Sequence, residues 1–113
     1  MRLPEISQLL DAEVLVDGEG TDQDLTAAFA ADTMSDLLAF GTAGAVLLTR
    51  MTSPQVIRTS EVMNIAAIIV INGKIPAKEV IQLARELHVP ILATRLPQFE
   101  VAGLLYARGL RGA

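Results

Sequence analysis

The sequence predicts an α/β domain built on a mainly parallel sheet, and three observations predict it. Residues 45–49, 66–71 and 91–93 form short apolar runs without alternation, the pattern of strands buried on both faces. Segments between them carry helical periodicity or helix-start signals. The connections are short, and strand–helix–strand order with short loops implies parallel strands joined by crossover helices.

The elements follow in order. Pro4 with Ile6, Leu9 and Leu10 predicts a short opening helix. A strand is expected over residues 13–16, ended by the turn Asp17-Gly18-Glu19-Gly20. Residues 25–31 suit strand or helix; strand is favoured because Asp32-Thr33 then caps a helix over residues 34–40, which Gly41 closes. After the strand at 45–49, Ser53-Pro54 reads as an N-cap with Pro at the first helical position, opening a helix to about Met63. The strand at 66–71 leads into an Asn72-Gly73 turn. Pro76 opens a helix over residues 77–87, with Val80, Leu83, Ala84 and Leu87 on its apolar face. His88-Val89-Pro90 breaks it ahead of the strand at 91–93. A final helix is expected from about Gln98 to Arg108. Phe99, Val101, Ala102, Leu104, Leu105 and Tyr106 surround its circumference, so it is buried in the domain or against a partner.

Composition bounds the function. The 113 residues suit one domain spanning 1–113, without repeats or linkers. Hydrophobic residues make up 51% and charged residues 19%, an apolar excess for a small chain that predicts a homodimer or higher homo-oligomer. A net charge of −4 with nine scattered basic residues argues against nucleic acid. Absence of cysteine removes disulfides and thiolate chemistry and fits a reducing compartment. Residues 1–10 carry Glu5 and lack a signal-peptide pattern, and the longest uncharged apolar run, 37–48, is too short to span a bilayer. The expectation is a soluble cytoplasmic protein with no membrane partner.

Ligands of open parallel sheets bind beyond the carboxyl ends of the strands. The candidate binding residues are therefore Thr49, Arg50, Thr52 and Ser53 in one loop, Asn72, Gly73 and Lys74 in the next, and Thr94 and Arg95 in the third. Helix-start amides with Arg50, Lys74 and Arg95 suit a phosphate or carboxylate; ordinary polar loops with capping residues are the plainer alternative. No catalytic group is expected. His88 sits at a helix end, Ser7, Ser35, Ser53 and Ser60 have no histidine near them in sequence, and no P-loop precedes a Lys-Ser/Thr pair. Asp22, Asp24, Asp32 and Asp36 read as caps and solvated surface, with neither a calcium-loop spacing nor a converging ligand set, so no metal or cofactor is expected.

The stretch "AAIIVINGKIP", then "HVPILAT", then "FEVAGLLY", preceded by "EVLVDGEG" and "ADTMSDLLAFG", resembles the DRTGG domain family over nearly the whole chain, and most of all its short stand-alone members. The resemblance implies a three-layer α/β/α fold like the N-terminal domain of HPr kinase/phosphorylase. It further implies a non-catalytic regulatory module that forms dimers, in some contexts binds a nucleotide, and is associated with iron-only hydrogenase and electron-transfer systems. A redox-complex protein is thus an expected partner, and a purely structural accessory subunit is the alternative. Thr52-Ser53 stands where the signature has Asp-Arg, and Ile71-Asn72-Gly73 where it has Thr-Gly-Gly. The kinase chemistry of HPr kinase does not carry over, because it belongs to a separate P-loop domain.

Overall fold

A computed structural model describes residues 1–18 and 23–113. The chain runs α1 (Leu3–Leu9), β1 (Glu13–Val16), β2 (Ala27–Ala30), α2 (Met34–Phe40), β3 (Val46–Thr49), α3 (Pro54–Val62), β4 (Ala67–Val70), α4 (Lys78–Glu86), β5 (Ile91–Ala93), α5 (Gln98–Ala107) and β6 (Arg111–Gly112). Every element expected from the sequence is present, and β6 is an addition. It is only two residues long and holds no apolar pattern, so periodicity could not reveal it. The Glu19-Gly20 part of the expected turn and Asp22 lie outside the described residues.

The strands form one sheet in the order β1-β5-β4-β3-β2-β6. β2, β3, β4 and β5 pair in parallel, β6 adds to β2 in parallel, and β1 pairs antiparallel with β5. Consecutive strands β2 to β5 step across the sheet in one direction, so crossovers of one hand place α2, α3 and α4 on the same face. The step from β5 back to β6 runs the opposite way and carries α5 to the other face, where α1 also lies. The two apolar clusters match this division. Leu37, Val56, Ile57, Val80 and Ala84 pack with Leu47, Ile68, Val70 and Ile91 on one face. Ile6, Leu10, Val101 and Leu105 pack with Val46, Leu48, Ile69, Ile71 and Leu92 on the other. The fold is a mainly parallel three-layer α/β/α sandwich.

Local signals explain the element ends. The Thr33 hydroxyl accepts the Asp36 N–H at 3.1 Å, capping α2 as expected. Ser53 takes the N-cap position of α3, but its side chain makes no capping bond. Pro76 precedes the Ala77 cap of α4 rather than opening the helix. α1, α3, α4 and α5 all end in paired six-to-one and five-to-two hydrogen bonds, for example Val89 N–H to the Ala84 carbonyl and His88 N–H to the Arg85 carbonyl. That motif needs a left-handed residue, supplied by Asp11, Asn64, His88 and Gly109. Asn72 and Gly73 are also both left-handed, and Lys74 N–H donates to the Ile71 carbonyl, the pattern of a type I′ turn. At the N-terminus the Met1 amino group donates to Asp24 at 2.7 Å, and this hydrogen bond holds the Asp24 carboxyl below the usual carboxylate range.

The last helix is half buried. Val101 and Leu105 face the core, whereas Phe99 is 87% and Tyr106 61% exposed. Its all-round apolarity thus divides into an inner face that completes the core and an outer stripe of Phe99, Ala102, Gly103 and Tyr106, spaced to share one side. Arg111 of β6 lies over the Tyr106 ring with its guanidinium carbon 4.1 Å from the centroid.

Candidate functional site

Register places the three expected loops on one rim. Thr49 is in register with Val70, and Val70 with Ala93, so β3, β4 and β5 end in a single row. The residues just past that row are Arg50, Asn72–Lys74 and Thr94–Arg95. α3, α4 and α5 begin at the same rim, because each follows one of these strands. The sequence-predicted site residues are therefore brought together.

Their roles divide sharply. Thr49 and Thr94 are buried. The Thr49 hydroxyl accepts the Met51 N–H at 3.0 Å, and the Thr94 hydroxyl accepts the Leu96 N–H at 3.2 Å. Each strand-ending threonine thus fixes the first turn of its own loop. Thr94 also donates to the Leu10 carbonyl at 2.9 Å, tying the end of α1 to β5. Both hydroxyls serve the scaffold.

The loop amides are similarly engaged. Asn72 N–H donates to the Leu96 carbonyl and Gly73 N–H to the Thr94 carbonyl, both at 3.0 Å, which knits the second loop to the third. Arg50 N–H donates to the Asp32 carboxylate at 2.9 Å, and the Arg50 guanidinium lies 3.5 Å from the same carboxylate. Asp32 is the rim residue that the sequence suggested only as a cap or solvated surface. The signal was the pairing itself: with Ala30 opposite Leu48, the residues two beyond this pair fall together as Asp32 beside Arg50.

What remains at the rim is side-chain charge. Lys74 and Arg95 are exposed, and among the described residues neither side chain has an ion pair or hydrogen-bonded partner. Lys78, in the first turn of α4, adds an exposed cation. Thr52 is half-buried, Ser53 and Asn72 are exposed. Three clefts among the described residues lie away from this rim: 420 Å³ between α1 and β1, 710 Å³ at the opposite rim below the ends of α3 and α4, and 210 Å³ between α5 and the β2–β6 edge. The rim is an open, partly cationic surface, suited to an anion held by charge rather than by enclosure.

Among the described residues no group of three or more His, Asp or Glu side chains is arranged to hold a metal ion. His88 stands at the 710 Å³ cleft, at the far end of the strands from Arg50, Lys74 and Arg95. No helix of the described residues is long and apolar enough to cross a membrane.

The sequence profile of the DRTGG domain matches residues 5–107. The chain belongs to the DRTGG domain family. Among solved structures, this DRTGG domain is similar to the crystal structure of the CBS and DRTGG domains from the regulatory region of Clostridium perfringens pyrophosphatase, complexed with its activator diadenosine tetraphosphate. The TM-score is 0.76 at 20% sequence identity. The match covers 92% of this DRTGG domain and 45% of the pyrophosphatase chain, so the chain spans less than half of that structure. No curated protein matches it. The three-layer fold is accordingly that of a DRTGG domain, and in the pyrophosphatase such a domain forms part of a regulatory region.

Proposed function

We propose that this DRTGG domain is a non-catalytic regulatory module that senses a small anion, a nucleotide or acyl phosphate, at the rim where β3, β4 and β5 end. The observation that carries the reading is the convergence of Arg50, Lys74 and Arg95 on one edge, with Lys74 and Arg95 left without carboxylate partners among the described residues. Similarity to a regulatory region whose structure holds a dinucleotide activator supports it. Isothermal titration against adenine nucleotides and acyl phosphates tests it. The expected result is binding that weakens about 5- to 20-fold in Lys74→Ala and in Arg95→Ala, and weakens with added salt, as an open charged site requires. No heat across the panel would sink it.

A second reading is favoured by a specific observation. The Arg50, Met51, Asn72, Gly73 and Leu96 amides are all hydrogen-bonded within the protein, so these loops offer few backbone donors for a phosphate cradle. In that reading the domain is an accessory subunit docking on a partner protein, with the cytoplasmic redox proteins implied by the family resemblance as the first partners to test.

Both readings include self-association through α5. Phe99, Ala102, Gly103 and Tyr106 form an exposed apolar stripe with the small residues at its centre. Two copies packed antiparallel about a two-fold axis would seat Phe99 near Tyr106.

A further inference from the structure

The edge of the sheet formed by β1 combines three features. Among the described residues, β1 pairs only with β5, so its outer side presents unpaired main-chain donors and acceptors. Alongside that edge runs the 420 Å³ groove, whose walls are Leu3, Pro4 and Ser7 from α1 and Val14 and Val16 from β1, with Leu92 at its base. Val14 is 47% exposed although it sits in a strand opposite Leu92. A helix beside an unpaired strand, with apolar side chains between them, is the arrangement by which an extended peptide adds to a sheet and inserts alternate side chains.

We propose that the groove between α1 and the outer edge of β1 docks an extended segment of a partner protein, apolar at alternate residues and basic at its ends. Charge selects this occupant. Glu13 and Asp17, both exposed, stand at the two ends of β1. A second copy pairing antiparallel along this edge would set Glu13 of each chain near Asp17 of the other, and like charges opposed across strands are unfavourable. Lysine or arginine at the ends of an incoming segment would meet the same carboxylates favourably.

The β-bulge between Val14 and Val16 turns Val16 into the core and shortens the regular edge. Main-chain pairing is therefore brief, and the groove must supply much of the affinity through an apolar side chain lodged among Leu3, Pro4 and Val14. The inference does not depend on the anion reading, and loss of anion binding would leave it standing.

Fluorescence anisotropy on the full chain tests it with two labelled seven-residue peptides of alternating valine and threonine, one ending in lysines and one in glutamates. The lysine-ended peptide is expected to bind, the glutamate-ended one at least about tenfold more weakly. Val14→Lys and, separately, Pro4→Lys place a cation in the groove at exposed positions and should each weaken the lysine-ended peptide about tenfold, while Lys74→Ala leaves it unchanged. Slowed amide exchange in β1 on adding the peptide reports the edge directly. Equal binding of the two peptides, no binding up to millimolar concentration, or a fall in solution mass on Val14→Lys would each overturn the proposal. The last would assign the edge to a second copy.

Discussion

His88 has φ 58°, a left-handed conformation that a residue with a Cβ adopts at a cost of roughly 1 kcal/mol. The motif ending α4 imposes it, and Gly109 fills the same position after α5. His88→Gly is expected to raise stability by about 0.5–1 kcal/mol, read from the urea midpoint at constant slope. An unchanged or lower midpoint would mean that the imidazole has a role beyond ending the helix. Thr94 presents the opposite case. Its buried hydroxyl donates to the Leu10 carbonyl and accepts the Leu96 N–H, so Thr94→Val keeps the shape and strands both groups. The expected loss is about 2–3 kcal/mol, since each stranded buried group costs about 1–3 kcal/mol. Hydrogen exchange should report it first at the end of α1.

At the level of elements, the seating of Met63 against the end of α2 rests on Gly41. A Cβ there would lie 2.6 Å from the Leu37 carbonyl and 2.5 Å from the end of Met63. The methionine could move, but the carbonyl belongs to the helix that Gly41 ends. Gly41→Ala is expected to cost about 1–3 kcal/mol, measured by thermal or urea unfolding. Expected from sequence merely as a helix stop, this glycine is also a packing requirement, and no periodicity could have shown that. The same division runs through the fold. Buried strands were legible as unbroken apolar runs, and the helix at 78–86 because its 3.6-residue period reports one buried face. β6, the antiparallel direction of β1 and the Asp32–Arg50 pair were not, since each depends on which strands become neighbours. The candidate site was legible as a set of loops after strands. That Thr49 and Thr94 turn inward while Lys74 and Arg95 remain outward needed the packed structure.

For the whole molecule, the two sides of α5 make separable predictions. Leu105 is buried in the monomer's own core, so Leu105→Ala should destabilise the fold by about 2–5 kcal/mol whatever the oligomeric state. Tyr106→Glu and Phe99→Glu alter exposed positions and should leave the unfolded-to-folded balance of one chain nearly unchanged. If the α5 stripe joins two copies, light scattering will give twice the 12.1 kDa chain mass for the unmodified protein and a single-chain mass for the glutamate variants. A single-chain mass for the unmodified protein would remove the dimer.

The layer formed by α1 and α5 draws its side chains from opposite ends of the sequence: Ile6 and Leu10 from the beginning, Val101, Leu105 and Leu110 from the end. During synthesis, the face of the sheet carrying Val46, Leu48, Ile69 and Leu92 therefore lacks part of its cover until α5 has left the ribosome. The opposite face is closed earlier by neighbouring segments. Until α5 docks, the uncovered apolar face is the part of the nascent domain most open to misassociation.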